Sequence, residues 1–390
     1  MRGSARPSHF GKIGVGRRLA TAFALAFALT LALASTSAQA QVAAPPPPPA
    51  TPTPTPTLTP TPTPSPTPSR SSDNTGMAAG ATIVNLGSSF LERLGNQATH
   101  GFGSALRNNP GGGGASEATE EPRFRTWGEA YGISATTSAQ GDFVGDHRQT
   151  YGGVAGVGAT IAPGVNVGFS IDQSRTSIDV PLALQSATLD LTQFGFNASV
   201  DKGPWTWAVA VVHGLGNIDS SRDTGGGIAS ARYGGQIDGA LTELSYYWSL
   251  DQSRIVPKLG LEYVHSATGA FQESGGLDPV AASDATLERA RVLVGAEIGH
   301  YWILDQKIFD LSAYGKFVDN FVQNFSTITV SLDSQSIALQ GIGESQYGAD
   351  VGAAASLNLT DKTCLYVNYD GKFRAAFQSH QGTLGVEYKW

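Results

Sequence analysis

Little in this 390-residue sequence is charged. Asp, Glu, Lys and Arg make up 15% of it, against about a quarter in an ordinary soluble chain. Long apolar runs are lacking too: beyond residue 40 no stretch of 18 apolar residues occurs, so no later segment reads as a membrane-spanning helix. The single cysteine, Cys364, excludes an intramolecular disulfide and a cysteine-rich metal site. Seven histidines are scattered, with His213, His265, His300 and His380 near strand ends, and none stands at the H-x-x-x-H or H-E-x-x-H spacing of a zinc site. There is no G-x-S-x-G elbow to present a nucleophile. The glycine runs Gly111–Gly114 and Gly225–Gly227 fall in linker and loop rather than between strand and helix, so neither is a phosphate cradle. No catalytic residue, cofactor or metal is expected. The formal net charge of -7 argues against nucleic acid.

What the sequence has is alternation. Its mean hydropathy is -0.10, and a membrane protein without long apolar runs must distribute its apolar residues every second position, as β-barrels do. The end of the chain shows this most plainly: Leu384, Val386, Tyr388 and Trp390 share one strand face, while Thr383, Gly385, Glu387 and Lys389 share the other. An exposed edge strand of that kind invites aggregation in a soluble sheet, whereas a closed barrel supplies lipid, lumen and a neighbour on each side. The same pattern runs through Val165–Ile171, Trp205–Val211, Leu259–Tyr263, Val292–Ile298, Phe309–Ala313, Tyr347–Leu357 and Leu365–Tyr369.

Twelve segments, beginning near Phe124, Gln149, Val165, Ser186, Pro204, Gln236, Arg254, Ala285, Ile308, Gly343, Thr363 and Gly382, predict an all-β membrane protein. Its form is a twelve-stranded antiparallel transmembrane β-barrel over residues 124–390. In the fourth segment Leu189 and Leu191 lie on one face but Phe194 and Phe196 on the other, and a bulge near Thr192-Gln193 is expected to repair it. Tight turns (161–164, 201–203, 249–253) alternate with long polar stretches (138–148, 175–185, 217–235, 268–284, 319–342), as in barrels with their long loops outside the cell. Trp127, Trp205, Trp207, Trp248, Tyr301, Trp302 and Trp390 are expected in the interfacial girdles. Lys258, Glu262, Arg291, Glu297, Lys316, Asp370, Glu387 and Lys389 are expected to face the lumen and pair there, because buried charges need partners.

Residues 1–40 read as a secretory signal peptide. Arg2, Arg6, Lys12, Arg17 and Arg18 form its basic region, Leu19–Ala34 its apolar core, and Ala38 and Ala40 the small residues of the cleavage site. Removing five basic and no acidic residues takes the net charge from -7 to -12. Residues 41–76 form a Pro/Thr-rich spacer without a packed core. The 24 residues from Pro45 to Pro68, if polyproline II, reach roughly 75 Å. Apolar residues from Ile83 to Leu106 recur at spacings of three and four, which predicts an amphipathic helix over 77–110 despite Gly87 and Gly95. A Gly-rich linker, 111–123, follows.

The chain resembles the C-terminal translocator β-domain of the autotransporters, the type V secretion family, over about residues 77–390. Trp127-Gly128-Glu129-Ala130-Tyr131-Gly132 matches the family's opening strand. Tyr151-Gly152-Gly153-Val154-Ala155-Gly156-Val157-Gly158 through Pro163 and Val167-Gly168 match the next two. The resemblance implies a helix threaded through the lumen and an N-terminal passenger carried to the surface. The signal segment, whose Arg17-Arg18 pair lacks the flanks of a twin-arginine signal, points to the Sec translocon. The expectation that follows is insertion into outer-membrane lipid by the barrel-assembly machinery, with Leu384, Val386, Tyr388 and Trp390 as the assembly signal, and a monomeric barrel. Asn108-Asn109 is similar to the junction at which some members cut themselves, though its surroundings do not match, and a helix C-terminus explains it as well. Residues 41–76 fit neither a β-helical nor an enzymatic passenger. The expectation is therefore a translocator that anchors or exports a very short segment. A small pore, or a surface adhesive protein acting through its loops, are the alternatives.

Overall fold

Period-two alternation over segments this long leaves each strand two unlike faces, and closing the sheet on itself is what gives both faces a home. The computed structural model describes residues 73–98, 123–304 and 307–390. The signal segment with Ala38 and Ala40, nearly all of the Pro/Thr stretch, Asn108-Asn109 and the Gly-rich linker lie outside the described residues. Among the described residues one helix, α1 (Asn74–Ala98), precedes twelve barrel strands. These are β1 (Phe124–Thr137), β2 (Asp146–Ala162), β3 (Val165–Val180), β4 (Gln185–Lys202), β5 (Trp205–Asp223) and β6 (Ile228–Tyr246). They continue as β7 (Ser253–Thr268), β8 (Ala285–Leu304), β9 (Lys307–Phe325), β10 (Tyr347–Asn358), β11 (Thr363–Arg374) and β12 (Phe377–Lys389).

Each strand pairs antiparallel with the next. The ring closes between β12 and β1, in register from Arg125 opposite Lys389 to Thr137 opposite Phe377. Phe124 and Trp390 exchange backbone hydrogen bonds of 3.0 and 2.9 Å at the seam. Among the described residues no barrel strand is left with an unpaired edge, which lipid requires. The outer wall is apolar: Phe169, Phe196, Trp207, Val211, Leu259, Leu261, Val294, Phe317, Leu384, Val386, Tyr388 and Trp390 are all exposed.

Two of the aromatic residues assigned to the girdles face the other way. Trp127 is only 5% exposed and Tyr301 6%, and both point into the lumen. For Trp127 the cause is on the next strand. Gly156 lies directly opposite it, and a Cβ there would stand 2.5 Å from the indole. Gly152 seats the ring of Tyr131 in the same way. The glycine alternation of β2 is therefore a row of seats for the large inward side chains of β1.

The expected bulge in β4 is absent. Its register with β3 and β5 runs unbroken from end to end. Leu189 and Leu191 are fully buried inside, while Phe194 and Phe196 face outward. The apolar residues change face because the loop-end half of the lumen is an apolar core that takes in Ala187, Leu189 and Leu191, while the outward positions there, Thr188, Asp190 and Thr192, are polar. The register shifts instead at Thr160/Ala162 in β2 and between Ala290 and Val292 on β8 against β9. Much of what reads as long polar loop is strand for the same reason: β5 and β6 run on to a hairpin between Asp223 and Ile228, with Ile218, Ala229, Ala231 and Tyr233 buried beneath polar outer faces. A second, four-stranded sheet (Phe271–Gln272, Ala281–Ala282, Thr327–Leu332, Gln335–Gln340) joins Val280, Ile328, Val330 and Leu339 to the core that holds Met77 and Ile83 of the helix.

Candidate functional site: the lumen and its helix

Helix α1 begins at Asn74, three residues ahead of the expected start, and its expected continuation past Ala98 lies outside the described residues. Its apolar stripe (Ile83, Val84, Phe90, Leu91, Leu94) is buried to 1% or less, against the inner faces of β3–β8. Burying such a side chain contributes about 1.5–3 kcal/mol, so an isolated helix interrupted by glycine is held in place by the barrel rather than by its own propensity. Gly87 fits that contact, since a Cβ on it would come within 2.8 Å of Ile237.

The polar side of the helix carries two adjacent charges, and the lumen answers each. Arg93 Nε lies 2.7 Å from Glu129 Oε2 and its Nη1 lies 3.3 Å from Asp172 Oδ2. Its guanidinium sits 4.2 Å above the ring of Tyr131, whose hydroxyl donates to Asp172 Oδ1 at 2.9 Å. Tyr366 donates to Glu129 at 2.8 Å. The Trp127–Gly132 segment thus presents Glu129 and Tyr131 to the helix as a receptor for one arginine. Glu92 meets three cations: Arg291 at 2.7 Å, Lys372 at 2.8 Å and Lys316 at 3.4 Å.

From Arg291 the network runs on through Glu262 (2.8 Å), which also accepts a 2.6 Å hydrogen bond from Ser88. Arg289 joins Asn85 Oδ1 at 3.0 Å and Glu344 at 2.8 Å. Arg374 bridges Glu344 (3.0 Å) and Asp350 (2.8 Å). At the turn end Lys258 lies 3.6 Å from Glu297, and Lys389 lies 3.0 Å from Glu387. Asp370 accepts from Tyr314. The eight charges expected in the lumen are all there, each with a partner. Sequence reasoning passed over Glu92, Arg93, Glu129, Asp172, Glu344 and Asp350. For Glu129 and Asp172 the signal was present in strand parity.

The helix has a direction. Its first turn lies at the loop end of the barrel, where Asn74 Oδ1 accepts from Val144 N at 3.0 Å and Thr75 N donates to Gln185 Oε1 at 3.1 Å. Its last turn lies at the turn end, where Ser199 donates to the carbonyl of Ala98 at 2.6 Å and Arg125 to that of Gln97. Only small gaps of about 20, 20 and 30 Å³ remain along its Gly76–Gly80–Asn85–Ser89 side.

Leu384, Val386, Tyr388 and Trp390 line the outer face of the closing strand, 44–56% exposed, with Trp390 stacked on Phe124 at 6.2 Å. His300 Nδ1 meets Ser253 Oγ at 2.7 Å and His380 meets Tyr369 at 2.7 Å. Among the described residues no group of three metal-ligating side chains forms.

Comparison with solved structures finds the same barrel fold. The fold is similar to the translocator domain of the autotransporter NalP from Neisseria meningitidis, with a TM-score of 0.62, 14% identity, and 82% of this chain and 98% of that one covered. It is similar also to the β-domain of the Bordetella autotransporter BrkA, with a TM-score of 0.52, 14% identity, and 69% and 100% covered. Comparison with curated proteins by sequence finds no match. The autotransporter β-domain family model matches residues 126–370, well over half of the chain. The chain therefore belongs to the autotransporter β-domain family, and its barrel is a translocator domain of the bacterial outer membrane.

Proposed function

We propose that this translocator anchors the Pro/Thr-rich segment 41–76 and exposes the part of it ahead of Asp73 at the cell surface, without catalytic chemistry of its own. The observation that carries the reading is the direction of α1. The loop end of an outer-membrane barrel faces outward, and Asn74 sits at that end while Ala98 sits at the other. In this reading residues 1–40 are removed after Ala40 and the chain passes the Sec translocon. The barrel-assembly machinery then takes up Leu384, Val386, Tyr388 and Trp390 as the insertion signal. The helix that begins at Asn74 stays in the lumen as the tether, and the residues that follow it return the chain to β1 of the 124–390 barrel.

The test is a peptide tag placed at Gln41 and protease shaving of intact cells. Loss of the tag with the barrel intact is the expected result. A tag that survives shaving, but is cut once the outer membrane is opened, would put the segment in the periplasm and end this reading.

A further inference from the structure

The outward face of β5–β8 carries a row of charge that the translocator role does not use. His213 on β5 pairs directly with Asp238 on β6, Asp238 with His265 on β7, and His265 with Glu288 on β8. His213 Nδ1 lies 2.7 Å from Asp238 Oδ1, and His265 Nδ1 lies 3.6 Å from Glu288 Oε1. The next outward row towards the turn end, Val211, Ala240, Tyr263 and Ala290, carries no charge. Barrel strands tilt by about 35–45°, so the row climbs. His213 stands eight residues along β5 from Trp205, while Glu288 stands fourteen along β8 from Trp302. It leaves the lipid band at His213 and rises towards the loops at Glu288.

We propose that this row is an acid-responsive contact for the phosphate-bearing headgroups of the outer leaflet. Imidazole is the side chain that changes charge between pH 5 and 8. With both imidazoles neutral, the row presents two carboxylates and repels phosphate. With both protonated, the carboxylates are neutralised and each ring gains a second N–H donor. Asp238 occupies Nδ1 of His213, so Nε2 is the nitrogen left for a headgroup oxygen.

The neighbours do not mask the change. β4 contributes Phe194 opposite His213. β7 contributes the Tyr263 hydroxyl beside Glu288, and β9 contributes Asn324, which donates to Glu288 Oε2 at 3.3 Å. Other charges on these strands and their neighbours are Asp284 just ahead of β8, Asp319 on β9, which accepts from Gln346 at 3.3 Å, and the pairs Asp219 with Arg232 and Arg175 with Asp190.

The experiment compares the melting temperature of the whole chain in phosphatidylcholine vesicles with that in vesicles also containing phosphatidylglycerol, at pH about 7.5 and about 5.5. Acidification is expected to raise it more in the phosphatidylglycerol vesicles. The double variant His213→Gln/His265→Gln, at positions 53% and 30% exposed, is expected to lose that lipid-specific difference and to melt like the parent in phosphatidylcholine. An equal pH response in both vesicles, or a difference that survives the double variant, overturns the proposal. So does an equal rise on adding inorganic phosphate to phosphatidylcholine vesicles, since a free ion would then suffice. Should the double variant fail to fold, His265→Gln alone is expected to reduce the difference, and an unchanged difference would again count against it.

Discussion

Glu92 is the side chain on which the lumen's electrostatics converge. Arg291, Lys316 and Lys372 all lie within 3.4 Å of its carboxylate, and among the described residues only Arg291 has a second acid, Glu262, in ion-pair contact. Removing one partner of a buried ionic cluster costs more than the cluster contributes, because the remaining charges stay buried without an answer; about 3–5 kcal/mol is typical. Glu92→Gln is therefore expected to destabilise the purified protein by that order in thermal or denaturant unfolding. Adding Lys372→Met should restore part of the loss, and strictly additive effects would show that the two residues are not coupled. Gly156 makes a steric prediction of the same kind. Its substitution by alanine drives a methyl into the Trp127 indole and is expected to cost about 1–3 kcal/mol. A smaller aromatic at 127 should relieve it.

Among the elements, the helix cap and the closing strand carry separate predictions. Asp73 caps α1 through a 3.1 Å bond from Gly76 N, among the loops beyond the lipid band. Burial pushes its carboxyl up to about 7 against that bond, and the nearby Glu273 carboxylate adds to the rise. A carboxyl raised in the folded state stabilises it fully below the ordinary carboxylate range, and that stability is lost as pH rises through about 7. Amide exchange at the first turn of α1 should accelerate from pH 5 to 8 beyond the intrinsic chemical rate, and Asp73→Asn should flatten the change.

In β12 the predicted effect falls on assembly. Tyr388→Ser with Trp390→Ser leaves the backbone ladder to β1 unchanged but removes the outward aromatics, and is expected to lower the amount of folded barrel recovered from outer-membrane fractions.

Strand number, closure and the outer face were legible because lipid imposes one apolar face without exception. Inside, legibility faded. Trp127 and Tyr301 face inward although aromatic, and Leu189 and Leu191 face inward although the outer wall is also apolar. A lumen filled by a helix accepts apolar and charged residues alike, so parity there carries no chemical sign. The charged partners of Arg93 could be read only by carrying strand parity from Trp127 to Glu129 and Tyr131. The extended hairpins were missed because Gly234, Gly235 and the serines of 217–235 look like loop until Ile218 and Tyr233 are seen to pack inward.

On the scale of the whole molecule, barrel and helix depend on each other unequally. The barrel's backbone bonds close without the helix, since every ladder from β1 to β12 is strand to strand. The helix has no such independence, because its apolar stripe and both charges find their partners on the wall. Deleting 74–98 should therefore leave a folded barrel. It would also leave Glu129, Asp172, Glu262, Arg289, Arg291, Lys316 and Lys372 lining water rather than a helix face. The deleted form is expected to conduct far more strongly than the full chain in planar bilayers, while keeping the far-ultraviolet circular dichroism of a β-barrel. Conductance equal to that of the full chain would mean that the path is closed elsewhere. The four-stranded sheet at the loop end, with Ile328, Val330 and Leu339 at its centre, would then be the seal, and removing 327–340 would be needed to open it.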